Sequence, residues 1–203
     1  IPGGRIIFGA GRNRGNHNLL NCYVIIPEDS VDSIGKTIQD MYKISCAGGG
    51  VGFNVSKIRP KGDHIGPVLN SAPGAVSVLQ MINEVGDHVR AGKNRRTALM
   101  GILNVTHPDL MEFLSVKLEQ GQLNNFNISV ARADSFYKEK WEDTFKCVGP
   151  NDMKARDLWD IIWKNSVESG DPGIYNIDLA NRYTNVSYFE SLDSTNPCGE
   201  ISL

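Results

Sequence analysis

The architecture of this chain turns on residues 46–55, Cys46-Ala47-Gly48-Gly49-Gly50-Val51-Gly52-Phe53-Asn54-Val55. Upstream of them Ile34, Ile38, Met41 and Ile44 recur at helical spacing behind a capping Asp29 or Ser30, so a helix runs to about Cys46. Downstream, 51–55 is a short apolar run with strand character. The glycines therefore end a helix and open a strand. A dinucleotide fingerprint leads the other way, from strand into helix, and a P-loop would continue into Lys-Ser or Lys-Thr. Neither pattern is present. The glycines suit a place where another group approaches the backbone closely, or they simply terminate the helix.

Outward from this point the periods alternate. Residues 20–26 form an apolar, β-rich run closed by Pro27. Residues 57–74, with Gly and Pro, read as a loop longer than most structureless connections, which suggests function or mobility. Residues 75–89 are helical, with Val78, Leu79, Ile82 and Val85 as the apolar stripe. Residues 98–105 are strand-like, and Pro108 suits the first turn of a helix reaching about residue 120. A strand at 126–131 and a helix at 157–169, carrying Leu158, Ile161, Ile162 and Val167, complete the pattern. Such alternation predicts an α/β architecture with a largely parallel sheet. Long loops at strand ends are where such folds keep their ligand sites.

With 203 residues, 40% of them hydrophobic and 22% charged, the chain can build one domain with its own core, or part of a larger one. It opens on Ile1-Pro2-Gly3-Gly4 and closes inside an apolar segment, so we expect a piece of a longer polypeptide, truncated at both ends. A formal charge of −2 with dispersed cations carries no footprint for duplex nucleic acid. No stretch has the length of a membrane span and no secretory signal begins the chain. Neither the four cysteines (Cys22, Cys46, Cys147, Cys198) nor the four histidines (His17, His64, His88, His107) have metal-ligand spacing, so no metal site is expected. Nothing suggests a secreted disulfide scaffold, and a reducing cytoplasm is the natural setting. His107, before Pro108, is best explained by the helix start.

Two stretches could carry chemistry. Asn196-Pro197-Cys198-Gly199-Glu200-Ile201-Ser202-Leu203 sets a thiol between an amide and a carboxylate at alternate positions. If extended, it points Asn196, Cys198 and Glu200 to one face: a hydrogen-atom donor, a proton shuttle and a hydroxyl-orienting amide. The alternative is a turn punctuated by Pro197 and Gly199, with Cys198 as a small buried hydrophobe. The basic run Arg90-Ala91-Gly92-Lys93-Asn94-Arg95-Arg96 suits phosphate recognition, or equally a solvated surface turn. Cys22 is either a core thiol or a reactive one. Cys46 and Cys147 receive no role.

Five motifs in register, covering essentially the whole chain, resemble the catalytic subunit of ribonucleotide reductases. They are Asn21-Cys22-Tyr23-Val24, Gly48-Gly49-Gly50-Val51-Gly52-Phe53, Gly92-Lys93-Asn94-Arg95-Arg96, Asn125-Phe126-Asn127-Ile128-Ser129-Val130 and the Asn-Pro-Cys-Gly-Glu ending. In style they are most similar to the adenosylcobalamin-dependent branch. The resemblance implies the first half of a ten-stranded α/β barrel, a five-stranded parallel half-barrel with flanking helices, ending on the active-site finger loop. Residues 1–203 would then be the N-terminal part of a catalytic barrel domain that includes an allosteric specificity site.

The same resemblance implies reduction of ribonucleotides to deoxyribonucleotides by thiyl-radical chemistry. Cys198 would carry the radical, Glu200 would take the 3′-hydroxyl proton, and Asn196 would hold substrate hydroxyls. Cys22 would be one of two reducing thiols, with Asn21 and Gly50 also on the substrate. Asp29 and Arg59 match an effector-binding acid and an effector-phosphate arginine. Lys93, Arg95 and Arg96 fall in a loop between effector and substrate. The loop 61–70 departs from the pattern in lacking an arginine that some relatives have there. The implied cofactor is adenosylcobalamin. The implied partners are a ribonucleotide, a deoxynucleoside triphosphate effector, a thioredoxin- or glutaredoxin-type reductant and a second copy of the chain. The amphipathic helices around 34–44 and 78–85 are candidates for that contact, although core packing explains their stripes equally well. Alternatives are a reductase served by a separate radical-generating metal subunit, or a nucleotide-binding half-barrel without chemistry of its own.

Overall fold

A computed structural model describes residues 3–11, 18–67, 71–89, 96–119, 121–134, 136, 144–145 and 153–203. In chain order the elements are α1 (Gly4–Gly9), β1 (Cys22–Ile25), α2 (Val31–Cys46), β2 (Gly50–Asn54), α3 (Ala75–His88), β3 (Leu99–Asn104), α4 (Leu110–Ser115) with a 3₁₀ turn (Val116–Leu118), and β4 (Phe126–Arg132). They continue with the short β5 (Thr144–Phe145) and β6 (Met153–Lys154), α5 (Ala155–Ser169), β7 (Gly173–Asn176) and α6 (Ile177–Tyr183). Five strands form one sheet in the order β1-β2-β3-β4-β7, and every neighbouring pair is parallel. Strand order thus follows chain order, and each crossover steps to the adjacent position. This is the five-stranded parallel sheet with flanking helices expected from the sequence.

Local chemistry accounts for the elements. Ser30 caps α2, its Oγ accepting from the Ser33 amide at 3.1 Å, with Asp32 in the first turn and Lys43 in the last to match the helix dipole. At its other end, Arg5 of α1 donates to the Ala47 carbonyl at 3.1 Å and also to that of Gly48, satisfying groups a helix terminus leaves open. Gly170 closes α5 in a left-handed conformation, φ 83°.

The strands alternate as a two-faced parallel sheet requires. Val51, Phe53 and Val55, with Leu99 and Leu103, join Leu79 and Ile82 of α3 and Phe113 of α4 in the main core. Met100 and Ile102 face the other way, with Ala131 and Tyr175. Each fully buried Phe or Leu stabilises the fold by roughly 1.5–3 kcal/mol relative to exposure.

Several expectations need correction. The helix after Pro108 starts at Leu110, and by Val116 it has tightened into a 3₁₀ turn. Ser115 Oγ donates back to the Met111 and Glu112 carbonyls there, a local competition that favours the tighter turn. Val167 is 70% exposed, so the core side of α5 rests on Leu158 and Ile162. The strand β7 and the helices α1 and α6 were not foreseen. They are short, and Gly4, Gly9 and Gly173 interrupt their apolar pattern.

Candidate active site at the amino edge of the sheet

The inner side of β2 is built to be approached. Gly50, Gly52 and Asn54 alternate with its core residues, and the segment 193–197 crosses them in the opposite direction. A Cβ on Gly50 would lie 2.5 Å from Pro197 Cγ. One on Gly52 would lie 1.7 Å from the Thr195 carbonyl oxygen. Asn54 Nδ2 donates to the Asp193 carbonyl at 2.5 Å, and Asn127 on β4 donates to that of Pro197 at 3.1 Å. Close approach of another backbone, one of the two roles open to these glycines in the sequence, is therefore their role here.

The crossing segment ends in a hairpin. Thr195 bridges Ser202 in antiparallel fashion, the Asn196 amide donates to the Ile201 carbonyl at 3.0 Å, and the Gly199 amide donates to the Asn196 carbonyl at 3.0 Å. Gly199 has φ 80°, which the turn needs and a side chain would resist. The extended reading of 196–200 is thus overturned, and the backbone adopts the turn. Pairing of the finger with its own return strand wins over extension. Cys198, however, is exposed at the tip rather than buried as a small hydrophobe.

The turn still gathers the chemistry. A cavity of about 200 Å³ opens at the amino ends of β1, β2 and β3, lined by Cys22, Gly50, Arg96, Cys198 and Glu200 among others. Asn196 is fully buried beneath it. Its Oδ1 accepts from the Ile201 amide at 3.1 Å, and its Nδ2 donates to Cys22 Sγ at 3.2 Å. Partial desolvation against the cavity wall pushes the Cys198 thiol above its ordinary pKa, and the neighbouring Glu200 and Cys22 act in the same direction. The sulfur is thereby held in the S–H form, which a hydrogen-atom donor needs and a nucleophile does not. Cys22, Cys46 and Cys198 are free thiols.

Of the residues singled out from sequence, Asn21, Cys22, Gly50, Arg96, Cys198 and Glu200 all line this cavity, with Asn196 one layer below. Lys93, Arg95 and Cys147 lie outside the described residues. Ser45, Thr97 and Pro197 line the cavity as well and were not foreseen. Only the alternation Gly-x-Gly-x-Asn could have signalled the docking track.

Asp29 and Arg59 meet elsewhere, at the opposite ends of the strands. Arg59 Nε donates to Asp29 Oδ2 at 2.7 Å, and Nη1 donates to the His64 carbonyl at 2.5 Å. Beside the pair lies an apolar groove of about 340 Å³ between α2 and α3, bordered by Ile34, Ile38, Val78 and Met81. Among the described residues, no His, Cys, Asp and Glu cluster could hold a metal ion, and no helix is long and apolar enough to cross a membrane.

A parallel sheet laid down in chain order, with a cysteine-tipped hairpin seated on its glycine strand, defines one half of an α/β barrel with an internal finger. The family model described as "Ribonucleotide reductase, barrel domain" matches residues 20–151 and 139–203, and the chain belongs to that family. The chain is 38% identical over its whole length to the vitamin B12-dependent ribonucleoside-diphosphate reductase of Thermoplasma acidophilum, covering 27% of that protein. It is 34% identical, again over its whole length, to the enzyme of the same name from Mycobacterium tuberculosis, covering 30% of it. The large subunit of the ribonucleoside-diphosphate reductase from Caenorhabditis elegans is 27% identical over 96% of the chain, and 29% of that protein is covered. The chain thus spans under a third of these relatives' length. Among solved structures, the alpha subunit of a class Id ribonucleotide reductase from Actinobacillus ureae superposes with a TM-score of 0.77. That match covers 99% of this chain and 35% of the other at 22% identity, a likeness of fold.

Proposed function

We propose that this chain carries the thiol site of a ribonucleotide reductase that makes deoxyribonucleotides through a thiyl radical. The observation behind this reading is the convergence of Cys198, Glu200 and Cys22 on one cavity. The Cys198 sulfur gives up its hydrogen atom and then takes the 3′ hydrogen of the ribose. Glu200 accepts the 3′-hydroxyl proton, which eases departure of the 2′-hydroxyl as water. Cys22 and a second thiol supply the two electrons and protons that reduce C2′ and become a disulfide. At the end, the 3′ hydrogen returns from Cys198. A thioredoxin- or glutaredoxin-type dithiol restores the thiols by exchange. Asn21, Gly50 and Asn196 hold the substrate. Asn196 must then trade its hydrogen bond to Cys22 for one to a substrate hydroxyl, which links substrate binding to the freeing of that sulfur.

The exposed tip position of Cys198 leaves room for a bulky radical source, and the identities of 34–38% favour adenosylcobalamin over a separate metal subunit. When bound, this cofactor supplies the initiating organic radical by homolysis of its metal–carbon bond. The chain's part is to present the Cys198 sulfur and to shield it from water once substrate covers the cavity.

At the other end of the strands, Asp29 and Arg59 would receive a deoxynucleoside triphosphate. Arg59 exchanges Asp29 for phosphate oxygens, and Asp29 turns to the nucleoside. Lys93, Arg95 and Arg96 would pass the identity of the effector on to the substrate, and Arg96 lines the thiol cavity. The apolar faces of α2 and α3 support pairing with a second copy, and the free thiols suit a reducing cytoplasm. The test is ribonucleotide reduction by a full-length protein carrying this sequence, with a dithiol protein as reductant, with and without adenosylcobalamin. Cobalamin-dependent product is expected. Cys22→Ser should give no deoxynucleotide even in the first turnover, because the dithiol that reduces C2′ is lost, and sustained turnover with that reductant would remove Cys22 from its role.

A further inference from the structure

The loop 57–74 carries Arg59, and it is held from a place that the chemistry above does not use. Asp109 stands at the N-cap position of α4 yet makes no side-chain cap to its own helix. Only 7% exposed, its carboxylate reaches across to the loop instead. Both oxygens accept from the Lys61 amide, at 3.0 and 3.2 Å, and Oδ2 also accepts from the Ala75 amide at 2.9 Å. Lys61 lies near the start of the loop and Ala75 just past its end, so one buried carboxylate ties the two together. Gly74 has φ 87°, and a Cβ there would come within 2.6 Å of Asp109 Oδ2, so glycine is what lets the carboxylate sit so close.

His107, 6% exposed, completes the grip. Its Nδ1 accepts from the Asp109 amide at 3.1 Å, which leaves the ring proton on Nε2. Nε2 therefore donates to the Ile58 carbonyl at 2.8 Å. Residues 58 and 61 are both fastened, and Arg59 lies between them. Its guanidinium is aimed at Asp29 from a backbone with little freedom left to move.

We propose that Asp109, together with His107, is a positioning pair for effector binding: it presets the Arg59 loop so that the arginine meets a nucleoside triphosphate without first ordering its backbone. This rests on the effector reading of the Asp29–Arg59 groove. Asp109 and His107 touch no ligand; they act through the loop. Preorganisation raises affinity by removing an ordering cost, so loosening the grip weakens the effector without altering chemistry at the far ends of the strands.

The test uses the full-length protein and thymidine triphosphate as the effector probe, with binding measured by calorimetry and exchange of the Lys61 and Ala75 amides measured beside it. Asp109→Asn should weaken binding about tenfold or more and speed both amides, while effector-free turnover and substrate KM stay within about twofold. His107→Leu should weaken binding too, and His107→Gln, which keeps a donor for the Ile58 carbonyl, should recover most of the loss. Arg59→Ala is the reference. If Arg59→Ala weakens the effector while Asp109→Asn and His107→Leu leave it unchanged, the positioning role is overturned and the groove reading stands. An Arg59→Ala protein with unaltered affinity removes the groove reading and this proposal with it. Equal losses of effector binding and effector-free turnover would mean general destabilisation and also overturn the role. Should Asp109→Asn fail to fold, the His107 pair decides.

Discussion

The two ends of the same strands are built on opposite principles. At the amino ends, side chains are removed: Gly50 and Gly52 open a track for a second backbone, and the cavity beside Gly50 is lined by Cys22 and Cys198. At the carboxyl ends, side chains are added: Ile34, Ile38, Val78 and Met81 border an apolar groove, and a buried carboxylate and imidazole fasten the loop beside it. Open α/β sheets usually bind ligands at the carboxyl ends of their strands, where loops and helix N-termini converge. Here the thiols sit at the amino ends because the finger that carries Cys198 needs a strand stripped of side chains. In the function proposed above, the end crossed by a second backbone carries the thiols and the open groove takes the effector.

The strongest way to break this division is Cys198→Ser in the full-length protein. It should abolish reduction altogether while shifting effector affinity by less than about twofold, since distant sites act independently. A loss of effector affinity would mean that the two ends are not separate. Next in size is Gly52→Ala. Its methyl would collide with the Thr195 carbonyl, a backbone atom that cannot rotate away, and should cost about 3 kcal/mol in thermal or denaturant unfolding. Unchanged stability would show that the finger does not rest on β2 as described.

A smaller effect concerns protonation. Because partial desolvation, Glu200 and Cys22 all raise the Cys198 pKa, iodoacetamide should alkylate it more slowly at neutral pH than an ordinary cysteine, with the rate climbing as pH rises. Glu200→Gln removes one of the two neighbouring groups that oppose the thiolate, so its rate profile should move to lower pH. A profile that stays in place would leave partial desolvation and Cys22 as the causes. The smallest expected change belongs to the carboxyl side. Ser30→Ala deletes the cap of α2 next to Asp29 and should lower stability by about 1 kcal/mol, read by thermal unfolding, with reduction at the amino edge unaffected.

Most of the scaffold was legible. The stripe Ile34, Ile38, Met41 and Ile44 marked α2, and the β-rich runs marked β1 to β4, because periodicity directly records which side of an element is buried. Gly173 and the short reach of β7 hid the fifth strand, whose existence depends on pairing with Ser129 to Arg132 of β4. The paired residues of the thiol site were equally visible as residue types but not as a geometry. Asn196, Cys198 and Glu200 converge with Cys22 through a turn rather than along an extended face, and Asn196 reaches Cys22 across 174 positions of chain. His107 read as the start of a helix, which is where it lies; nothing local reveals that its ring and the Asp109 carboxylate serve another loop.

By itself the sequence determined the order of the principal helices and strands and the parallel sense of the sheet, because these depend on local periodicity and on the alternation of elements. Only the tertiary structure decided which end of the strands receives the thiols, that the finger turns back on itself, and that one carboxylate ties the Arg59 loop. Those outcomes arise from contacts between segments far apart in the chain, where steric fit at a glycine and the need to satisfy buried polar groups outweigh local preference.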